Sequence, residues 1–275
     1  MAQRKIGPVL LGASGKVGRA LRAVWPDGVD LLCQYRGLAP SDGVFWDMLN
    51  APAPDLPHPV SGIVAMMGVT HGDARALQAN TRLALAACDL AERAGGLRVL
   101  LASTQAVYGP GRDVLHERSP CHPRSDYGRA KLAMEQAVAG RPNVTCLRIG
   151  NVMGCDGLSA AMSRGPVGLE RFADGTGPAR MMIGPVDFAQ TLLALLAHEG
   201  PLPPVLNVAA YPIIAMQDLL TAAGADWHWD VTAQGGLPAL TLDLTVLGTC
   251  VPLIQTCADK LVAQARATGW EVARS

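Results

Sequence analysis

The chain has 275 residues, of which 49% are hydrophobic and 17% are charged, so it can bury a sizeable core and is not intrinsically disordered. Lys and Arg number 23 and balance 23 Asp and Glu, which leaves no basic surplus to attract duplex DNA or an anionic membrane. No apolar run reaches the roughly 18 residues that span a bilayer, so we expect neither a nucleic-acid nor a membrane partner.

Cysteine usage and the start of the chain predict a cytoplasmic location. The seven cysteines include no C-x-x-C pair, which is typical of free thiols in a reducing compartment. The apolar run after the basic start is only about four residues long, too short for a secretory signal.

Short apolar runs alternate with amphipathic stretches along most of the chain. The pattern predicts strands at 8–11, 29–33, 62–67, 98–101, 144–149 and 205–208, and helices at 16–24, 73–94, 127–139 and 187–198. Such alternation indicates βαβ units in a Rossmann-like, doubly wound α/β fold with a parallel sheet. Beyond it we predict helices at 215–223 and 254–268, a strand at 227–231, and a weakly periodic passage at 154–185.

These boundaries predict two domains. Residues 1–153 plus 186–208 form the Rossmann core, and residues 154–185 plus 209–275 form a small substrate-binding lobe.

A glycine-rich turn follows the first predicted strand directly. In VLLGASGKVGRAL the glycines let the backbone turn tightly and approach a pyrophosphate, which then meets the N–H groups and positive dipole end of the next helix. The sequence therefore predicts a dinucleotide site in the core domain, with contacts from Gly12, Ser14, Gly15, Lys16, Val17 and Gly18.

The end of the second strand bears on which dinucleotide is bound. The place where an acidic residue would select NAD is held by Tyr35, and Arg36 follows it. Because a guanidinium binds phosphate well, we predict NADP(H), with NAD(H) as the alternative. In the other interpretation Arg36 is a solvated loop arginine. Asp47 is placed either to meet the adenine edge or to serve as an ordinary turn aspartate.

Two further segments carry acid–base chemistry. Tyr127 and Lys131 in SDYGRAKLAME are four residues apart and share one face of a helix. A nearby ammonium favours tyrosinate, so we expect Lys131 to lower the pKa of Tyr127 and make it a general acid/base. Thr104, at the end of the strand in RVLLASTQAVYG, is placed to hydrogen-bond the substrate oxygen.

With these motifs in this order, and with LRIGNVMG after them, the chain resembles the extended short-chain dehydrogenase/reductases of the NAD-dependent epimerase/dehydratase family. The resemblance implies Thr104, Tyr127 and Lys131 as the catalytic triad, with Lys131 also bonding the nicotinamide ribose. It implies Asn80 as a helix-bending residue behind the lysine and Asn151 as a substrate-side asparagine. Arg180 and Asp187 match a recurrent arginine and aspartate, and a homodimer is implied as well.

The sequence departs from the family in two places. Sugar-nucleotide 4,6-dehydratases have an acidic pair after the threonine, whereas Gln105 and Ala106 stand here, so that reaction is disfavoured. The segment from residue 154 to 180 is shorter than in full sugar-nucleotide epimerases. Arg180 remains a candidate substrate ligand. For Arg164 and Arg171 two interpretations are open: they contact a phosphate of the substrate, or they are ordinary surface arginines. Cys121 and His122 lack a second ligand pair, so no metal is expected.

The sequence therefore predicts an NADP(H)-favouring enzyme that transfers hydride at a secondary alcohol or ketone of a sugar or sugar nucleotide. A reductase or dehydrogenase is slightly favoured, and an epimerase that retains NAD is the alternative. A non-catalytic NADP(H) sensor is an alternative of another class; such proteins often lose the tyrosine or lysine.

Overall fold

The computed structural model describes residues 6–37, 40–41, 43–57, 59–109, 114–230 and 239–273. In chain order the strands are β1 (Val9–Leu11), β2 (Leu32–Tyr35), β3 (Val44–Phe45), β4 (Ile63–Ala65), β5 (Val99–Thr104), β6 (Val114–Leu115), β7 (Val144–Ile149), β8 (Asn151–Val152), β9 (Val167–Glu170), β10 (Ala179–Arg180), β11 (Met182–Ile183), β12 (Val205–Val208), β13 (Ile214–Ala215), β14 (Trp227–Asp230) and β15 (Ala239–Leu242). The helices are α1 (Lys16–Ala23), α2 (Ala74–Arg93), α3 (Asp126–Val138), α4 (Gly157–Met162), α5 (Pro185–Ala197), α6 (Met216–Ala223), α7 (Thr245–Cys250) and α8 (Ala258–Arg266).

A seven-stranded sheet in the order β12-β7-β5-β4-β1-β2-β3 forms the centre of the molecule. Every neighbouring pair in it is parallel, which confirms the predicted Rossmann-like α/β fold. The chain order reverses between β1 and β4, and in such sheets ligands bind at the carboxyl ends of the strands beside this reversal. The glycine turn after β1 lies at that edge.

Helices cover both faces of this sheet. Successive side chains of a strand point to opposite faces. Leu10 accordingly belongs to a buried cluster with Phe188 of α5, whereas Val9 and Leu11 belong to a cluster with Cys88 of α2 and Met134 of α3. The near-continuous apolar strands are thus explained by burial on both sides.

A third buried cluster lies among α4, α6 and α8, with Met162, Leu220 and Leu261 fully buried. Three small sheets accompany it, in the orders β13-β10-β15-β6, β11-β8 and β14-β9. The weakly periodic passage therefore contains α4, β9, β10 and β11. The division into two domains stays a prediction. β6 comes from the segment that we assigned to the core, but it pairs with β15, which comes from the segment that we assigned to the lobe.

Several element boundaries differ from the predicted ones for identifiable reasons. The second strand begins at Leu32 rather than 29, because the Val29 amide donates to Pro26 in a turn. The last helix begins at Ala258 rather than 254, because the main chains of Ile254 and Thr256 bond to Tyr211 instead. Residue 231, at the end of the predicted strand 227–231, lies outside the described residues.

Within the described ranges, no helix combines the length and the apolar character needed to cross a membrane.

Candidate active site

The glycine turn after β1 is shaped by close backbone contacts. Gly12 has φ +83°, and a Cβ on it would lie 2.6 Å from the amide nitrogen of Met67. A Cβ on Gly18 would lie 2.2 Å from the Gly12 carbonyl oxygen, so α1 can approach the turn only with glycine there. Gly15 precedes α1 as its N-cap and supplies no capping side chain. This cradle fits the pyrophosphate of a dinucleotide.

Gln34 of β2 holds the turn in place, a role that the sequence did not reveal. Its side chain is 4% exposed. Oε1 accepts a hydrogen bond from the Gly12 amide at 2.9 Å, and Nε2 donates to the Trp46 carbonyl at 2.6 Å. The other predicted contacts surround the turn: Ser14 and Lys16 are exposed and Val17 is half-buried.

At the end of β2, Tyr35 is buried and the Arg22 guanidinium lies 5.3 Å from its ring centroid. Arg36 is exposed. The Asp47 carboxylate accepts hydrogen bonds from the Leu49 amide at 3.2 Å and from Asn50 Nδ2 at 2.9 Å. The Asn50 hydrogen bond, with help from the positive charge of Arg36, lowers the pKa of Asp47. The structure therefore gives Asp47 the contacts of a turn aspartate, with Arg36 nearby.

Thr104 and Tyr127 come together at the carboxyl end of β5. Thr104 is the last residue of that strand, and Tyr127 lies in the first turn of α3, where the Ser125 hydroxyl caps the helix by accepting from the Gly128 amide at 3.0 Å. The Thr104 side chain is close enough to the Tyr127 phenol to lower its pKa. Thr104 Oγ1 also accepts from the Ala106 amide at 3.2 Å, which orients its hydroxyl.

Lys131 lies one helical turn after Tyr127 and is 3% exposed. Its ammonium donates to the Ala102 carbonyl at 2.9 Å, and burial lowers its pKa to about 8. Burial also raises the pKa of Tyr127, an effect that the neighbouring Thr104 side chain partly offsets. The expected lowering of the Tyr127 pKa by Lys131 is therefore wrong for this structure, because the ammonium bonds the Ala102 carbonyl and burial dominates at the phenol.

Asn80 of α2 is 1% exposed and holds the loop that follows β4. Its Oδ1 accepts from the Val69 amide at 3.1 Å, and its Nδ2 donates to the carbonyls of Val69 and Leu77, each at 2.9 Å. A Cβ on Gly68 would lie 2.9 Å from Asn80 Oδ1 and 3.2 Å from Lys131 Nζ. The structure thus places Asn80 beside the lysine, with this loop packed against both.

A chain of polar side chains joins the ends of β5 and β7. Gln105 Nε2 donates to Asn151 Oδ1 at 2.6 Å, and Asn151 Nδ2 donates to Asp156 Oδ2 at 2.8 Å. The other carboxylate oxygen of Asp156 caps α4 by accepting from the Ser159 amide at 2.9 Å. The predicted substrate-side asparagine is thereby held between two side chains.

The sequence did not reveal a buried ion pair that lies beneath the site. Arg148 of β7 donates to Glu135 of α3, with its Nη2 2.7 Å from Oε2, and both side chains are nearly fully buried. Glu135 also accepts from the Ser103 hydroxyl, and Arg148 Nη1 donates to the Glu117 carbonyl at 3.1 Å. Residue 103 precedes Thr104 and residue 135 is one helical turn after Lys131, so the pair connects the elements that carry the catalytic candidates.

The loop that contains Glu117 is attached to the sheet through a second set of bonds. Glu117 Oε1 accepts from the amide of Asn207 in β12 at 2.9 Å. The Asn207 side chain donates to the carbonyls of Leu115 and Asp243 and accepts from the Tyr108 hydroxyl at 2.6 Å. Burial raises the pKa of Tyr108 to about 12, so this phenol stays neutral at physiological pH.

The remaining predicted residues lie on the lobe side. Arg180 is half-buried in β10, its Nη1 donates to the Ala179 carbonyl at 2.7 Å, and burial lowers its pKa. Asp187 pairs with Lys260 at 2.9 Å and so ties α5 to α8. Arg164 and Arg171 are exposed, and the Arg171 guanidinium lies 5.6 Å from the Trp229 ring centroid.

The cysteines and potential metal ligands contribute no further centre. None of the seven cysteines, all of which lie in the described ranges, forms a disulfide bond. No group of three His, Cys, Asp or Glu side chains in the described part of the chain is arranged to hold a metal ion.

Comparison with solved structures shows the same fold in several sugar-nucleotide enzymes. UDP-glucose 4-epimerase from Brucella ovis, in complex with NAD, superposes with a TM-score of 0.75 at 17% identity, over 97% of this chain and 99% of that one. UDP-glucuronic acid 4-epimerase from Bacillus cereus gives 0.74 at 16% identity, over 96% and 99%. The NAD-dependent NDP-hexosamine 5,6-dehydratase TunA, involved in tunicamycin biosynthesis, gives 0.72 at 19% identity, over 96% and 97%.

A comparison of the sequence with curated proteins finds no match. The family model described as the NAD dependent epimerase/dehydratase family matches residues 58–209, more than half of the 275-residue chain. This segment includes Thr104, Tyr127 and Lys131, whereas the glycine turn precedes it. The chain belongs to the NAD-dependent epimerase/dehydratase family of enzymes.

Proposed function

We propose that the protein is an NAD(P)(H)-dependent oxidoreductase that transfers hydride at a secondary alcohol or ketone of a sugar or sugar nucleotide. The observation that carries this proposal is the arrangement at the carboxyl end of β5, where Thr104 is close enough to Tyr127 to lower its pKa and buried Lys131 lies one helical turn further on. These side chains lie at the edge of the sheet that also holds the glycine turn, so a dinucleotide bound there would extend toward them.

The nicotinamide, when bound, supplies or accepts the hydride. Thr104 hydrogen-bonds the substrate oxygen and holds it against the phenol of Tyr127, which donates or accepts the proton at that oxygen. The raised pKa of Tyr127 keeps the phenol protonated in the free protein. Lys131, whose pKa is about 8, remains mostly charged at neutral pH and would bond the ribose of the nicotinamide, as the family resemblance implies.

A sugar nucleotide is supported as the substrate class by the 4-epimerases that share the fold. We assign Arg180 to the substrate site, because a half-buried guanidinium beside the lobe strands is suited to a phosphate or carboxylate. An epimerase that retains NAD is the alternative that these relatives favour. A 4,6-dehydratase is disfavoured, since Gln105 and Ala106 offer neither the acid nor the base for elimination.

Turnover of sugar nucleotides distinguishes these activities. Purified protein is incubated with UDP-glucose or UDP-glucuronic acid and with NAD⁺ or NADP⁺, while reduced nicotinamide is followed by absorbance and the sugars by NMR. Net cofactor reduction indicates a dehydrogenase, and interconversion of sugars without net reduction indicates an epimerase. If the cofactor binds but the wild type converts neither sugar nucleotide, the proposed substrate class is refuted.

For the cofactor, we propose that NADP(H) is preferred and that Arg36 binds the 2′-phosphate. Its support is the exposed position of Arg36 at the end of β2, next to a buried tyrosine instead of an acidic residue. The solved structures above name NAD. Fluorescence titration should show that Arg36→Ala weakens NADPH binding roughly tenfold to a hundredfold, as expected for a lost charged hydrogen bond, and leaves NADH binding unchanged. Equal NADPH affinity in both proteins would refute the assignment.

Two further expectations stay predictions. The homodimer rests on the family resemblance, and the cytoplasmic location rests on the cysteine content of the sequence.

A further inference from the structure

The guanidinium of Arg148 contacts three different segments at once. Its Nη2 and Nε donate to the Glu135 carboxylate of α3, at 2.7 and 3.2 Å, and its Nη1 donates to the main-chain carbonyl of Glu117, at 3.1 Å. Its Cζ lies 4.7 Å from the centroid of the Tyr108 ring. The Arg148 side chain is 6% exposed, so water does not compete for these contacts.

Two of the three segments lead to Tyr127. The loop 116–125, which contains Glu117, runs directly into α3, and Tyr127 is the second residue of that helix. Glu135 lies about two helical turns further along the same helix. Arg148 therefore holds the chain on both sides of the proposed proton-transfer residue.

The third segment follows Thr104. A short turn connects Thr104 to Tyr108, whose carbonyl accepts a hydrogen bond from the His122 amide of the loop at 3.1 Å. A Cβ on Gly128, in the first turn of α3, would lie 2.6 Å from the Ala106 carbonyl oxygen. The start of α3 is thus packed directly on the turn after β5, and the guanidinium lies against the aromatic ring at the end of that turn.

An arginine can make these contacts together, whereas a lysine cannot. A guanidinium is planar and presents five N–H donors in a rigid fork, so it fixes the Glu135 carboxylate and the Glu117 carbonyl relative to each other. Its flat face also stacks on an aromatic ring. A lysine ammonium keeps the positive charge for Glu135, but it is a point charge on a flexible stem and has no face to stack.

We propose that Arg148 is a positioning residue for the proton transfer: it holds the loop 116–125 and α3 in the arrangement that places the Tyr127 phenol beside Thr104. The proposal rests on the proposed function, in which Tyr127 moves the proton. Arg148 acts through the segments on either side of the phenol and contacts neither substrate nor cofactor. The pair with its carboxylate partner keeps the charge from being buried alone, whereas the contacts with the loop and with the aromatic ring set the geometry.

The first experiment follows the phenol in the free protein. The four tyrosines are replaced biosynthetically by 3-fluorotyrosine, whose phenol ionises at lower pH, and their ¹⁹F NMR signals are titrated. The signal that is lost in Tyr127→Phe belongs to Tyr127. Because the Thr104 side chain lowers the pKa of this phenol, Arg148→Lys should shift its titration to higher pH. Arg141→Lys is the matched control: Arg141 also joins two carboxylates, but both belong to α2, so the titration should not move.

Turnover separates positioning from stability. With UDP-glucose or UDP-glucuronic acid and NAD⁺, Arg148→Lys should lower kcat roughly tenfold to a hundredfold, because a small misplacement of a reacting group has an effect of this size. The KM for NAD⁺ and the Tm should change little, and Arg141→Lys should keep the wild-type kcat. A purely structural role would instead lower the Tm and leave the kcat of the folded protein normal.

A neutral variant keeps the test decisive if Arg148→Lys does not fold. The double variant Glu135→Gln, Arg148→Met leaves no charge of this pair buried, but it removes the donor to the Glu117 carbonyl, so its Tyr127 signal should also titrate at higher pH. The inference is overturned if the folded variant titrates like the wild type, or if its kcat on a probe that the wild type converts is normal. If the wild type binds the cofactor and converts neither sugar nucleotide, the proposed substrate class is refuted instead. The titration needs no substrate and still decides the inference.

Discussion

Replacing Lys131 by methionine should stabilise the protein at neutral pH while removing a catalytic candidate. Burial lowers the pKa of Lys131 from the ordinary 10.5 to about 8. At 1.36 kcal/mol per pKa unit, keeping the ammonium charged in this place costs about 3 kcal/mol of folding free energy. Methionine has similar length and carries no charge, but the Ala102 carbonyl loses its donor, which costs about 1 kcal/mol. We therefore expect a net gain of about 2 kcal/mol.

The pH dependence of stability isolates the contribution of the ammonium. Between pH 8 and 10.5 the native protein has released the Lys131 proton while the unfolded chain still holds it, so wild-type stability from this group rises with pH. Lys131→Met lacks that rise, and its advantage should shrink across this window. Urea denaturation at several pH values measures both effects, and the gain at neutral pH corresponds to a Tm increase of roughly 4–8 °C.

An exposed lysine provides the control. Lys16 is exposed, so Lys16→Met should leave the unfolding free energy within about 0.5 kcal/mol of wild type at every pH. The reasoning is refuted if Lys131→Met is less stable than wild type at neutral pH. It is also refuted if the gain in unfolding free energy over wild type is the same at pH 7 and above pH 10. Either result would mean that burial of the ammonium does not carry the expected net cost in the folded state.

Three further changes test the site and its support. Tyr127→Phe should lower kcat at least about a hundredfold with little change in Tm, because the phenol moves the proton in the proposed mechanism; near-normal turnover of a true substrate would contradict this role. Glu135→Gln should destabilise the fold by about 3–5 kcal/mol in urea denaturation, since it leaves the Arg148 charge buried without its partner. The double variant with Arg148→Met should recover much of that loss, and failure to recover would contradict the ion-pair explanation. In fluorescence titrations Gly18→Ala should weaken dinucleotide binding, because the added Cβ meets a turn carbonyl at 2.2 Å, whereas Gly157→Ala, which meets nothing within 4 Å, should not.

Local patterns were sufficient to predict the central sheet. Its strands are buried on both faces, so they appear in the sequence as short apolar runs. In the helices between them the apolar residues recur at helical spacing. The glycine turn was also predictable, because the spacing of its glycines after a strand is a local pattern. The contact that requires glycine at residue 18 is made within the turn itself, with the Gly12 carbonyl. Helical spacing likewise placed Tyr127 and Lys131 on one face of α3.

Features set by distant parts of the chain were not predictable in this way. The Tyr108 hydroxyl bonds Asn207, which is 99 residues away, and the start of α8 depends on a main-chain pairing with Tyr211. The Lys131 ammonium could reach Tyr127 or a carbonyl of β5, and only the packing of α3 on the sheet decides for Ala102. Sequence spacing gives the face of a helix but not the partner of a long flexible side chain.

The buried charges under the site explain how a lysine in this position can remain useful. Burial pushes the Lys131 pKa down, and Cys146 and the Glu135 carboxylate push it up, so the ammonium stays mostly protonated at neutral pH. Glu135 in turn is held by Arg148 and by the Ser103 hydroxyl, which fixes its distance from the lysine. The fold thus maintains a buried positive charge one helical turn after Tyr127, the proposed proton-transfer residue. In the proposed function this charge holds the nicotinamide ribose beside the phenol.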